Sequence, residues 1–218
     1  MTLDQLVAAF RRDIKDTKKP YLVSADDAMR YANQAQREAA RRARLLVDST
    51  SDLCQVAVTA GEAVVDIDPC IISIRRARLQ SASRPLLKAV VRDMDDHYAG
   101  WDSSSNTSTP YVVVVDYATD QLYLYPTPST SDTLLLTVTR EPLEDMEADS
   151  STPEIAPRYH EALIAWMKYR AYTADDSDLY SEAQAARANA AFEAEFGPPT
   201  SAVNERFDLE HYDDVGER

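Results

Sequence analysis

Glycine is scarce in this sequence, with four in 218 residues. So few positions exclude a glycine-rich phosphate cradle, which needs several residues able to take positive φ or to let a ligand approach the backbone. Cysteine is scarcer still. Cys54 and Cys70 have no metal-type partner spacing, which argues against a disulfide framework or zinc site and for two small buried hydrophobes. No apolar run approaches the roughly 18 residues of a membrane span. The first residues, with Asp4, Arg11, Arg12 and Asp13, lack the apolar core of a signal peptide, so the expectation is a chain made in the cytosol. The three histidines include no pair at ligand spacing: His160 stands beside Glu161 and His211 lies near the end. No serine or cysteine sits in a nucleophile turn.

What the sequence does have is charge, distributed unevenly. The total is −14. Residues 1–50 hold ten Lys or Arg against seven Asp or Glu, residues 51–140 seven against eleven, and residues 141–218 six against nineteen. An acidic end of this size argues against wrapping nucleic acid, where binding comes from neutralising phosphates with cations. It favours basic protein partners, or a surface to which DNA does not adhere.

Apolar spacing predicts helices at both ends of the chain. Thr2 caps a first helix to about Lys18, with Leu3, Leu6, Val7, Phe10 and Ile14 on one face. Ser24 starts a second, to about Val47, aided by Asp26 and Asp27 in its first turn. Its buried stripe is Ala28, Ala32, Ala35, Ala39, Ala43 and Leu46, which lets another helix approach closely. The opposite stripe, Arg30, Gln34, Arg37, Arg41 and Arg44, is basic: either a solvated face or a surface for a neighbouring subunit's carboxylates.

The middle of the chain reads as about seven strands. Residues 55–59 and 63–67 suggest a hairpin around Gly61, and 71–79 with 86–89 a second pair. A short helix over 90–98 precedes Gly100-Trp101, and 111–116, 121–125 and 133–140 complete the set. Pro126 and Pro128 end the second of these last three, because proline cannot donate to a ladder. Two further helices follow, from Pro157 to about Thr173 and from Leu179 to Phe196. Asp175-Asp176-Ser177-Asp178 separates them, and Gly197-Pro198-Pro199 stops the second.

The expected fold is therefore α+β: a helical bundle of N- and C-terminal helices with an inserted small antiparallel β-sandwich or partly open barrel. The expected divisions are 1–50 and 143–197 for the bundle, 51–142 for the insert and 198–218 for an extended acidic arm. In that arm Phe207, Leu209 and Tyr212, with Val203, are candidate anchors on a partner.

Chemistry is hard to place. In Asp93-Met94-Asp95-Asp96-His97 only Asp93 with Asp96 or His97 shares a helix face, which would make a two-ligand set for a metal-dependent hydrolase; the competing reading is an exposed helix end. Asp175 to Asp178 lacks the glycine and later glutamate of a calcium loop. Trp166, Tyr169 and Tyr172 read as helix packing. Trp101 is a candidate contact residue or a core anchor.

The order of parts resembles the head-to-tail adaptor, or connector, proteins of tailed bacteriophages. The resemblance rests on the alanine- and arginine-rich helix after Ser24, the strand ending before Asp68-Pro69, Gly100-Trp101, Pro110-Tyr111, and Leu122-Tyr123-Leu124-Tyr125-Pro126-Thr127-Pro128. Arg140-Glu141-Pro142 and the Pro153-Glu154-Ile155 entry to a helix with His160 and Leu163 complete it, with Thr109 in place of a glycine before Pro110. It implies a non-enzymatic virion protein without cofactor. Such a protein forms a ring, a dodecamer in such connectors, between portal and a downstream tail or nozzle protein, with genomic DNA passing through its lumen without sequence-specific binding and without a membrane. It would be assembled in the host cytoplasm and reside at the head-tail junction. Subunit or portal contacts would fall on Arg30, Arg37, Arg41, Arg44, Trp101, Phe207, Leu209 and Tyr212. The alternative within the same class is another tail-completion or nozzle protein.

Overall fold

A computed structural model describes residues 1–103, 105–174 and 178–199. In chain order its elements begin with α1 (Leu3–Asp13), α2 (Ala25–Ala43), β1 (Val47–Asp48), β2 (Gln55–Val58), β3 (Val64–Asp66), β4 (Ile71–Leu79), β5 (Leu87–Ala89) and α3 (Val91–His97). They continue with β6 (Thr107–Ser108), β7 (Val112–Ala118), β8 (Gln121–Tyr125), β9 (Thr127–Pro128), β10 (Asp132–Arg140), α4 (Leu163–Tyr172) and α5 (Glu182–Phe196). The described residues form two compact units, one of Met1–Leu46 with the chain from Glu141 onward, the other Val47–Arg140.

In the helical unit, Thr2 and Gln5 form a capping box that starts α1. The helix ends at Asp13 rather than near Lys18, because Lys15 turns the backbone left-handed at φ +63° and Asp16 folds back. The buried Asp16 carboxylate accepts the N–H groups of Leu22 and Val23 at 2.9 and 3.1 Å and pairs with Arg11 at 2.9 Å. Helix α2 buries Ala28, Ala32, Ala35 and Ala39 completely, and the small stripe lets α4 pack closely on it. Arg44, left-handed at φ +51°, ends it. The apolar cluster is completed by non-helical Val23, Met146 and Ile155. The expected regular bundle of terminal helices is therefore not what forms: irregular chain supplies part of the packing that helix faces would supply in a bundle.

The β unit also departs from expectation. Neither an antiparallel sandwich nor a partly open barrel closes among the described residues. Instead, one sheet is built on β10, with β1 and β2 in line along one edge and β4 on the other; a second has the order β3-β8-β7-β5; a two-stranded ribbon joins β6 to β9. The pairs β5–β7 and β6–β9 are parallel. Neither predicted pair forms a ladder among the described residues, although the Leu86 N–H donates to the Ala77 carbonyl at 2.8 Å. β2 pairs with β10 while β3 pairs with β8, and β4 pairs with β10 while β5 pairs with β7. The physical reason is the continuous apolar character of β7, β8 and β10, which makes them the central strands to which the flanking short strands add.

The Val112-Val113-Val114 run is apolar throughout because its sheet is covered on both faces. Val113, Leu122 and Leu124 share a cluster with Leu134, Leu136 and Val138 of β10, whereas Val112, Val114 and Tyr123 face Met94 of α3 and Trp101. Where the chain enters and leaves this unit, β1 and the end of β10 lie side by side. Asp48 and Arg140, both buried, meet there at 2.7 Å, and the Asp48 carboxylate also accepts the Thr50 and Ser51 amides and the Ser51 hydroxyl. The Thr50 amide first, then the Ser51 hydroxyl and Arg140, hold the Asp48 carboxyl far below the usual carboxylate range against the opposing effect of burial.

Candidate interaction surfaces

The basic stripe of α2 is present on the helix surface, but each arginine has company within the chain. Arg30 pairs with Asp27 one turn away. The Arg37 Nη2 donates to both oxygens of Asp145 at 2.8 Å, which ties α2 to the segment after Glu141. Arg41 donates to Glu38 at 3.0 Å, and Arg44 is half-buried at the helix end. Gln34 is half-buried. The side chains of Arg30 and Arg37 remain 55 % and 49 % exposed in these pairs. Ion pairs so exposed contribute about 0–1 kcal/mol, so their carboxylates are exchangeable.

Sequence spacing missed a buried arginine of the helical unit. Arg42 has a side chain only 3 % exposed. It donates to Glu38 at 2.7 Å and to the Gly197 carbonyl at 3.2 Å, with its guanidinium 5.2 Å from the ring centres of both Trp166 and Phe192. The available signal was Glu38 four residues before it, the favourable orientation of a helical pair.

Trp101 is a core residue. Gly100, at φ +68°, makes the turn that presents it, a conformation a side chain would strain. The ring is 4 % exposed, meets Tyr123 edge-on at 4.9 Å, and donates from Nε1 to Asp95 at 2.9 Å. It belongs to the β unit, the arginines of α2 to the helical unit. Phe207, Leu209, Tyr212 and Val203 lie outside the described residues, as do His211 and Asp175-Asp176-Ser177; Ser181 is the cap observed for α5.

The remaining candidates have local structural partners. Asp93, Asp96 and His97 are exposed, with the His97 Nδ1 2.8 Å from the Asp93 carbonyl. Among the described residues no group of three or more His, Cys, Asp or Glu could hold a metal ion. Buried His160 donates from Nε2 to the Ile155 carbonyl at 2.8 Å, the direction following because a carbonyl only accepts. Cys54 is buried and Cys70 partly so, both as free thiols; burial foremost pushes the Cys54 thiol above its ordinary pKa. No described helix is long and apolar enough to cross a membrane.

The model of the SU10 adaptor protein family matches residues 1–211, and the chain belongs to that family. It is thus a phage head-to-tail adaptor and a component of the virion. The comparison with curated proteins finds no match.

Proposed function

We propose that the chain is the ring-forming adaptor that joins portal to the tail around the DNA exit channel. The observation that carries this reading is the family match over residues 1–211 combined with the polarity of charge along the chain. A ring requires a heterologous interface, one face of each subunit meeting a different face of the next. The half-exposed arginines of α2 supply a cationic face. Acids of a neighbouring copy, drawn from the segment 141–196, supply its complement and replace Asp27 and Asp145 at little cost. The net charge of −14 lets DNA pass through the lumen without adhering. In this reading the subunit assembles in the host cytoplasm, needs no cofactor and performs no catalysis, and the ring is a dodecamer. Trp101 contributes by holding the β unit rather than by contact, and Phe207, Leu209 and Tyr212 anchor the C-terminal arm on portal or on the next subunit.

The test is to image the purified protein with and without its portal and count copies. Rings on portal are expected, and their loss when Arg37, Arg41 and Arg44 are changed together to Glu, with folding retained, since like charges across an interface cost several kcal/mol. Affinity for tail proteins alone, with none for portal, would instead identify a tail-completion or nozzle protein.

A further inference from the structure

A second surface lies in the β unit, and its chemistry differs from that of α2. Tyr111 and Tyr117 are 49 % and 38 % exposed, and Leu87, whose N–H donates to the Tyr111 carbonyl at 2.8 Å, is 62 % exposed. The rings form two groups, which meet in the apolar cluster that holds Tyr98, Trp101, Tyr123 and Tyr125. Tyr111 meets Tyr125 edge-on at 5.9 Å, Tyr125 meets Tyr98 at 5.2 Å, and Tyr117 contacts Tyr123 at 5.0 Å and Trp101 at 6.1 Å. Buried Trp101 and Tyr123 hold the Tyr117 ring and partly buried Tyr125 meets the Tyr111 ring, so ordering them on a partner costs little entropy.

The segment that supplies Tyr98 and Trp101 to this face is acidic. Residues 91–103 hold one arginine, Arg92, against Asp93, Asp95, Asp96 and Asp102. Asp95 is occupied by the Trp101 indole, whereas the carboxylates of Asp93, Asp96 and Asp102 are exposed and have no ion-pair partner among the described residues. The Asp102 charge reaches the aromatic array: burial foremost, then Tyr117 and Asp102, push the Tyr123 hydroxyl above its ordinary pKa.

We propose that this tyrosine face is a docking surface for an arginine-bearing segment of a partner protein. Tyrosine faces attract a guanidinium by their ring quadrupole and stack on its plane, and the unpaired carboxylates of the acidic segment complete the charge match. Lysine satisfies only the charge, because its compact ammonium cannot stack. Nucleic acid is excluded from this role by the aspartates, which repel phosphate.

The experiment titrates the full chain with a fluorescent nonapeptide alternating Arg and Ser, at physiological ionic strength, beside its Lys counterpart and a single-stranded thymidine oligonucleotide. Saturable binding of the Arg peptide is expected, several-fold tighter than the Lys peptide and without oligonucleotide binding. Two variants, Tyr111→Ala with Tyr117→Ala and Asp96→Asn with Asp102→Asn, should each weaken it about tenfold or more, as truncation of interface anchors does. Glu144→Gln with Glu147→Gln, which removes the same charge from the helical unit, should leave it unchanged. The aspartate variant changes only exposed side chains, so it keeps the test valid if the tyrosine variant unfolds. The proposal is overturned by absence of saturable binding, by equal loss in the Glu144 and Glu147 control, by equal affinity for the Lys peptide, or by preferential binding of the oligonucleotide. None of these outcomes bears on ring formation through α2, because the titration reads the isolated subunit.

Discussion

The helical unit packs α2 through a stripe of alanines, whereas the second sheet of the β unit fills both of its faces with valine, leucine and aromatic side chains. Alanine allows close approach but removes little apolar area from water, so α2 is additionally tied to the irregular segment after Glu141 by polar contacts. Asn33 exchanges two hydrogen bonds with the Met146 backbone, at 3.1 and 2.8 Å, and the Gln36 Oε1 accepts the Glu154 amide. The β unit relies chiefly on burial, with the buried Asp48–Arg140 pair where its two chain ends meet. One unit is therefore specified by hydrogen bonds to a loop, the other by apolar volume. The half-exposed pairs on α2 add only about 0–1 kcal/mol each to these ties, which leaves them available to a neighbour.

Truncating the β unit should do the most damage. Trp101→Ala removes a buried indole and its bond to Asp95, with an expected loss of about 4 kcal/mol in denaturant unfolding. Arg140→Ala should follow at about 3 kcal/mol, because it leaves the buried Asp48 carboxylate without its counter-ion. Asp48 also sets an acid limit. Its folded pKa is depressed, so its contribution is present above the unfolded value of about 3.9 and is lost as pH falls below it. Melting temperatures measured between pH 6 and pH 3 should fall for the natural chain, and this part of the fall should be absent in Asp48→Asn, which starts less stable.

In the helical unit Asn33→Ala should cost about 2 kcal/mol, because both the N–H and the C=O of Met146 lose their partner. An unchanged stability there would mean that the loop contacts merely decorate the alanine packing. The smallest effect is expected for Arg37→Ala: below about 1 kcal/mol in thermal unfolding, since its pair with Asp145 is half-exposed. A loss comparable to that of Asn33→Ala would place Arg37 among the ties of the unit and withdraw it from the proposed subunit interface.

The elements set by local rules were legible in the sequence. Thr2 and Ser24 cap α1 and α2, the alanine spacing defines the buried face of α2, and Gly197 ends α5 at positive φ. The apolar runs that became β7, β8 and β10 were equally plain. The interaction surfaces were legible only as residue types. The arginine stripe was visible, but its partner Asp145 lies 108 residues away, and Trp101 could be read equally as a contact or a core residue until α3 and β8 enclosed it.

By itself the sequence determined the helix starts at Thr2 and Ser24 and the stop at Gly197, the location of the main strands and the imbalance of charge, because capping, periodicity and composition act over one or two turns. Tertiary structure alone decided that β2 and β3 part company, that β5 runs parallel to β7, and that Asp48 meets Arg140. Short strands carry little register information of their own, so the longest apolar strands selected their neighbours from across the chain, and the buried charges paired where that selection placed them.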